Sequence, residues 1–511
     1  MNQAIKRTII LAAFILLKFL LQYHLTDESY ELHRDEYLHL DQAHHPAWGY
    51  LSVPPLTSWC SMVVKMLGNG IFWVKFFPAL FGALTLWLVW KTIDALNGNL
   101  FALVLGATCT LFSVLLRLNM LYQPNSFDVL SWIAVYYCLI KQLQTEQPRW
   151  LYAGAVLFAL GFLNKYNILF LALGILPAIV LTPQRKLFAQ KHLIGAVLLA
   201  LLLVLPNLLW QYNNHFPVIH HMKELAASQL VNVNRLDFLK AQVLFFIGSI
   251  IVIIAGVTAL LFYKPFEKYR VFFWSFLFTL SIFTYCKAKD YYAIGIYPVY
   301  IAFGATWLSQ TLAAGRKKYL RPVLLAIPLL LFIPMYQLAF PNTSPEYIVS
   351  HPQRYQKMGM LRWEDGKDHA LPQDYADMLG WKELAYKVDS AYSKVSAASY
   401  TLVLCDNYGQ AGAINYYSRT GVKAVTFNAD YINWFNLQKP YANLIRVKNS
   451  WEKDREMKTT SPFFETGVIA DSITNPYARE KGTLIFVFTG ARININDRLK
   501  AEINEVKAKW R

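Results

Sequence analysis

The sequence predicts a mainly α protein, a polytopic transmembrane helical bundle of about 11 spans followed by a small C-terminal α/β domain. Two observations predict it. Of 511 residues, 55% are hydrophobic and only 16% charged, with a mean hydropathy of +0.29, which is too apolar for a soluble chain of several domains. Long apolar runs alternate with short charged stretches over residues 1–340, whereas residues 341–511 are polar and mixed in charge. The chain therefore divides into a membrane part, 1–340, and a soluble part, 341–511.

The first run carries Lys6 and Arg7 ahead of apolar residues ending near Leu21, and no small-residue cleavage site follows before Asp27. It reads as an uncleaved span rather than a signal peptide. Windows of roughly 20 residues per crossing place further spans at about 72–96, 100–118, 125–143, 150–164, 167–182, 193–211, 241–263, 270–286, 291–312 and 322–340. With a cytoplasmic N-terminus, the inner loops carry Lys91; Lys141 and Arg149; Arg185, Lys186 and Lys191; Lys264, Lys268 and Arg270; and Arg316, Lys317, Lys318 and Arg321. That is the basic bias of cytoplasmic loops, and it accounts for the net charge of +17 without nucleic acid. The odd count puts the C-terminal part outside. The outer face then collects the long loop 25–70, the turns 119–124, 164–167 and 286–290, and the loop 212–240.

The loop 25–70 is long for a bundle, and loops of that length usually carry function. Its segment Glu36–His45 suits a short helix lying in the interface, with Trp48, Tyr50 and Trp59 as anchors, ended by Pro54-Pro55. Asp35 and Glu36 are acids beside a membrane, where desolvation is costly and a partner or a task is the usual reason for their presence. They are either a reactive pair or solvated side chains, Asp35 pairing with Arg34. Asp128, at the outer start of a span, either caps the helix dipole or orients an acceptor or a basic partner. Lys165, Lys287 and Lys289 lie at outer span ends, against the inward bias of positive charge. They either snorkel to headgroups or bind an anion such as a departing phosphate.

His215, His220 and His221 lack the spacing of a helical zinc site, and the five scattered cysteines form no CxxC pair. Asp35, Glu36 and Asp128 are oxygen ligands of the kind Mg²⁺ or Mn²⁺ takes, so a divalent metal is an option without being obligatory.

The stretch RDEYLHLDQAHHPAWGYLSVPPL, followed in order by PNSFD, GFLNKYN, LPNLLWQYNNHFP, KAKDYYAIGIYP and DNYGQAGAINYY, resembles the family 39 glycosyltransferases of bacteria. These are relatives of protein O-mannosyltransferases and of the lipid A aminoarabinose transferase. The resemblance implies the C-type glycosyltransferase (GT-C) fold, an inner-membrane location with the soluble part extracytoplasmic, and inverting transfer of a sugar from a polyprenyl-phosphate donor to a protein, lipid or glycan acceptor. It implies Asp35 as general base and Lys289 as the donor-phosphate contact; the residues around them add Glu36 to orient Asp35 or the acceptor, and Lys165 or Arg34 to help hold the phosphate. Asp128, Tyr292 and His45 are then candidates for contacting the acceptor or supporting those that do. One departure is Ser52-Val53 before Pro-Pro, where relatives often carry a polar or acidic pair.

The chemistry fits that implication. Moving a sugar from a phosphate ester to a hydroxyl or amine needs a carboxylate to take the proton and positive charge for the phosphate. A glycosidase would need two carboxylates flanking the bond. A flippase or transporter of lipid-linked sugars is the rival reading, but no internal repeat is visible and the charges gather at one interface rather than at the midplane. A non-catalytic assembly protein on the same scaffold is the third. In the soluble part, ADMLGWKELAYKVDSAYSKV is patterned as a helix and TLVLCD, VKAVTF and GTLIFVF as strands. Tyr408-Gly409-Gln410-Ala411 is either a fold-forming turn or a helix start facing a ligand, and no nucleotide-binding element is present.

Overall fold

The computed structural model describes residues 2–228, 230–395 and 399–508. The membrane part runs α1 (Gln3–His24), α2 (Arg34–Asp41), α3 (Leu56–Met66), α4 (Ile71–Ala95), α5 (Leu100–Leu111), α6 (Val114–Leu118), α7 (Asn125–Thr145), α8 (Arg149–Asn164), α9 (Ile168–Val180) and α10 (Lys191–Asn213). It continues with α11 (Pro217–Ser228), α12 (Arg235–Phe245), α13 (Ile250–Phe262), α14 (Arg270–Tyr285), α15 (Tyr297–Thr311) and α16 (Leu320–Leu338). Each apolar segment expected to cross is helical, but several are broken. α5 and α6 share one segment, α12 meets α13 at 103°, and α9 meets the 3₁₀ turn Pro183–Ala189 at 107°. By length and composition, three helices among the described residues can cross alone, or up to five if each bent pair is one span.

The bundle is apolar on its outside as well as its inside. α10 exposes Leu198, Leu202 and Leu209, and α16 exposes Leu330 and Ile333. Helices apolar all round belong in lipid. The chain is a multi-pass membrane protein.

Hydrogen bonds sort the loops into two ends. At one, Arg7 pairs with Asp94 at 2.7 Å, Gln144 donates to the Ala95 carbonyl and the Tyr269 hydroxyl, and Gln184 donates to the Lys268 carbonyl. These are the basic loops assigned inside. At the other, Asn164 donates to the Pro124 carbonyl, Asn207 to that of Trp48 and Gln242 to that of Asp290.

The soluble part comprises α17 (Pro345–Ser350), α18 (Pro352–Gln356), α19 (Gln373–Ala376), α20 (Trp381–Ser393), β1 (Tyr400–Cys405), α21 (Tyr408–Tyr417), β2 (Ala424–Thr426), β3 (Tyr441–Lys448), α22 (Lys453–Thr460), β4 (Phe464–Ser472), β5 (Leu484–Ala491) and α23 (Ile495–Ala508). The sheet order is β2-β1-β3-β5-β4, with β1 parallel to β2 and β3, and β5 antiparallel to β3 and β4. The first outer loop belongs to this half in packing terms: Leu32, Tyr37 and Leu38 share a core with Trp381, Ala411 and Ile445. α2 is therefore held between the bundle and the soluble domain and does not lie in the membrane surface. Tyr50, expected as an interfacial anchor, is buried, its hydroxyl 2.6 Å from Ser58 Oγ. Exposed apolar side chains in this loop are instead Met62, Val63 and Met66 of α3 and Trp48, which packs edge-on against Trp59.

Candidate active site

Local sequence rules place the acidic pair. His33 caps α2: its Nδ1 accepts from the Asp35 amide at 3.3 Å, while Glu36 reaches back to the His33 amide at 2.6 Å, forming a capping box. Asp35 and Glu36 thus occupy the first turn, where the helix dipole favours negative charge. Neighbours on a helix point about 100° apart, and here that separates their surroundings. Glu36 is fully buried. It accepts from Lys75 Nζ at 2.8 and 3.0 Å and from the Tyr122 amide at 2.7 Å, so its oxygens are fully engaged in tying α2 to α4 and the turn before α7.

Asp35 keeps 35% of its side chain accessible. Its Oδ1 accepts from the Tyr408 hydroxyl at 2.6 Å and its Oδ2 from Gln123 Nε2 at 2.9 Å. Burial alone would raise its carboxyl, but the charges of His33 and Arg34 and the Tyr408 hydroxyl outweigh burial and hold it below the usual carboxylate range. At neutral pH it is a carboxylate.

From Asp35 a chain of side chains leads to a lysine. Gln123 Oε1 accepts from Asn125 Nδ2 at 2.9 Å, and Asn125 Oδ1 accepts from Lys165 Nζ at 2.7 Å. The Lys165 ammonium lies 4.3 Å from the ring centre of Tyr292 and 5.1 Å from that of Tyr291. Lys165 sits in the outer turn between α8 and α9, where burial lowers it to about 8, Asp128 opposing that shift and Lys289 adding to it. Lys289 pairs at 3.1 Å with Glu364 of the soluble part. The Arg34 guanidinium stacks on the Tyr408 ring at 4.6 Å, with its Nε buried and unpartnered among the described residues. Asp35, Arg34, Lys165, Lys289 and Tyr292 thus form one neighbourhood at the end of the bundle opposite the basic loops.

Other candidates fall elsewhere. Asp128 is buried, accepting from Trp132 Nε1 at 3.1 Å and Asn167 Nδ2 at 2.8 Å, and Asn167 also donates to the Tyr292 carbonyl. It shapes the turn that carries Lys165. His45 stacks on Trp434 at 4.2 Å, at the far end of the loop segment that begins with α2. Among the described residues no group of three His, Cys, Asp or Glu is placed to hold a metal. The acidic trio does not fit one, because the oxygens of Glu36 and Asp128 are committed to protein donors. Sequence reasoning missed Gln123, Asn125 and Tyr408 as site residues. Asn125 and Tyr408 lie in the motifs PNSFD and DNYGQAGAINYY, in which the sequence singles out Asp128 and a turn or helix start but gives these two side chains no role, and Gln123 lies just before the first of them.

A cavity of about 400 Å³ lies between α6, α12, α16 and the segment 358–375, and none of Asp35, Arg34, Lys165, Lys289 and Tyr292 lines it. Phe112, Leu244, Phe332 and Met335 line its apolar wall, and Arg117, Arg362, Gln373 and Asp374 its polar end. Gln373 accepts from the Glu364 amide at 2.8 Å, so the polar end is one residue removed from the Lys289 ion pair.

Against known proteins, the model for dolichyl-phosphate-mannose-protein mannosyltransferases matches residues 52–210. Lipid A galacturonosyltransferase RgtD of Rhizobium johnstonii is 28% identical over 218 residues, covering 40% of this chain and 45% of that protein, so the chain spans about half of this relative's length. Over nearly the whole chain, the crystal structure of ArnT from Cupriavidus metallidurans in the apo state superposes with a TM-score of 0.64 at 12% identity, covering 97% of this chain and 99% of that one. The fold is GT-C. ArnT bound to undecaprenyl phosphate superposes with a TM-score of 0.60, also at 12% identity, over 94% and 97% of the two chains. The GT-C likeness takes in the soluble domain as well as the bundle.

Proposed function

We propose that the protein is a glycosyltransferase that moves a sugar from a polyprenyl-phosphate carrier to an acceptor on the extracytoplasmic face of a bacterial inner membrane. The observation that carries the reading is the accessible Asp35 joined through Gln123 and Asn125 to Lys165, with Lys289 linked through Glu364 to Gln373 at the polar end of an apolar cavity. The acceptor heteroatom gives its proton to Asp35 and attacks the anomeric carbon. The carbon–oxygen bond to phosphate breaks, and the phosphate leaves with the electron pair. Lys165, Lys289 and Arg34 stabilise the charge that develops on it. Attack opposite the leaving group inverts the anomeric centre. The cavity takes the first isoprene units while the phosphate lies toward Lys289. The named relatives support both substrates: one acts on lipid A by name, and a solved GT-C neighbour carries undecaprenyl phosphate. A saccharide lipid is the acceptor class they favour.

The test is single-turnover transfer from a purified polyprenyl-phosphate sugar to lipid acceptors extracted from a strain lacking the protein. Asp35→Asn keeps size and removes basicity, so transfer should fall by about 10²–10⁴-fold with donor affinity little changed. Near-normal transfer by a folded Asp35→Asn chain would mean the base lies elsewhere.

A further inference from the structure

The geometry points to Tyr408 as a positioning residue that the soluble domain inserts between the two charged groups of the transfer site, its hydroxyl setting Asp35 and its ring setting Arg34. This rests on the roles proposed above for those two residues. The hydroxyl donates to Asp35 Oδ1 at 2.6 Å, while the Arg34 guanidinium lies 4.6 Å from the centre of the same ring. Arg34 Nε has no hydrogen-bond partner among the described residues, so the Tyr408 ring helps to orient a guanidinium that also feels the charges of Asp377, Asp35 and Glu480. A stacked guanidinium with open donors suits a phosphate.

Tyr408 is itself held firmly, because it opens α21, whose start is fixed by a buried acid. Asn407 caps the helix by accepting from the Gln410 amide at 3.0 Å. Glu480 in turn accepts from Asn407 Nδ2 at 3.0 Å and from Gln410 Nε2 at 2.7 Å. Close approach of α21 to α2 depends on small residues: a Cβ at Gly412 would meet Tyr37 Cβ at 2.7 Å, and one at Gly409 would meet Arg34 Cβ at 3.1 Å. The motif Tyr408-Gly409-Gln410-Ala411-Gly412 therefore brings one side chain of the soluble domain into the membrane site at a fixed distance.

Two substitutions separate the two contacts. Tyr408→Phe removes the hydroxyl and keeps the ring, so kcat should fall about tenfold while KM for the polyprenyl-phosphate sugar stays put. Tyr408→Leu removes both, so kcat should fall and donor KM should rise severalfold. A residue that only holds the domains together would give a Phe variant like the parent and a Leu variant whose melting temperature falls along with its activity. Unchanged kcat in a folded Tyr408→Phe chain, or a Leu variant with unchanged donor KM, would overturn the assignment. Asp35→Asn and Arg34→Ala are measured in parallel. If Asp35→Asn transfers normally, or Arg34→Ala leaves donor KM unchanged, the roles assigned to those residues fail. If both variants behave as proposed and Tyr408→Phe is unaffected, this inference fails alone.

Discussion

At the scale of single residues, the adjacent acids of α2 show how one turn of helix assigns different work to like side chains. Glu36 faces inward to Lys75, which is itself only 16% exposed, and to the Tyr122 amide. Removing one partner of a buried ion pair leaves the other charge unsatisfied, at a cost of about 3–5 kcal/mol. Glu36→Gln should therefore lower the apparent melting temperature in detergent clearly, whereas Asp35→Asn, at a part-exposed site, should lower it less and cut turnover by about 10²–10⁴-fold. Lys165 supplies the pH dependence. Burial lowers it to about 8, so its positive charge is present at neutral pH and disappears as pH rises through that value. Donor affinity, measured by titration with the polyprenyl-phosphate sugar, should weaken above about pH 8, and Lys165→Arg should keep its affinity to higher pH. The acids and the lysines were legible in the sequence because charge at an outer span end needs a reason. Gln123, Asn125 and Tyr408 were not, since a neutral amide or a tyrosine carries no such signal until the partner it bonds is known.

At the scale of elements, the contact between α2 and the soluble domain rests on two more buried acids. Asp41 accepts from Asn415 and from the Tyr431 hydroxyl, and Asp430 accepts from the Leu51 amide and from Gln42. Burial raises each carboxyl from 3.8 to about 6, these hydrogen bonds opposing it only in part. With folded values above the unfolded ones, the ionised forms burden the folded state above pH 6, and that burden is relieved as pH falls toward 4. Acidification from pH 7 to 5 should therefore strengthen this contact. The melting temperature should show a stabilising contribution on acidification that is absent when Asp41→Asn and Asp430→Asn are combined. Elements with a clean period were legible: the apolar helices, and three strands, β1, β2 and β5. β3 was hidden by Asn443, Arg446 and Lys448, whose polar groups are satisfied within the domain by Thr401, Asp406 and Glu452. β4 was hidden because it is an edge strand with most of its residues exposed. The breaks within α5–α6 and α12–α13 were invisible to a window that averages hydropathy over a whole crossing.

At the scale of the whole molecule, division into an apolar and a polar half was legible in composition, but the way the halves share a core was not. The first outer loop packs with residues more than 300 positions away, and no local pattern encodes such pairing. What the pattern did encode is sidedness. The basic loops are bonded to one another at one end of the bundle, and Asp35, Lys165 and Lys289 stand at the other. The orientation proposed above, with the site away from the cytoplasm, rests on the positive-inside rule. Cysteine labelling in intact inner-membrane vesicles tests this directly. Cys286 is the one exposed cysteine among the described residues, so it is first replaced by serine. Single cysteines at the exposed positions Asn213 and Glu346 should then react with a membrane-impermeant maleimide in right-side-out vesicles, and cysteines at Lys186 and Lys317 only in inverted ones. The reverse pattern would put the transfer site on the cytoplasmic side. Reaction of Asn213 and Glu346 from opposite sides would break the shared face, because α11 and the soluble domain would then be divided by the membrane.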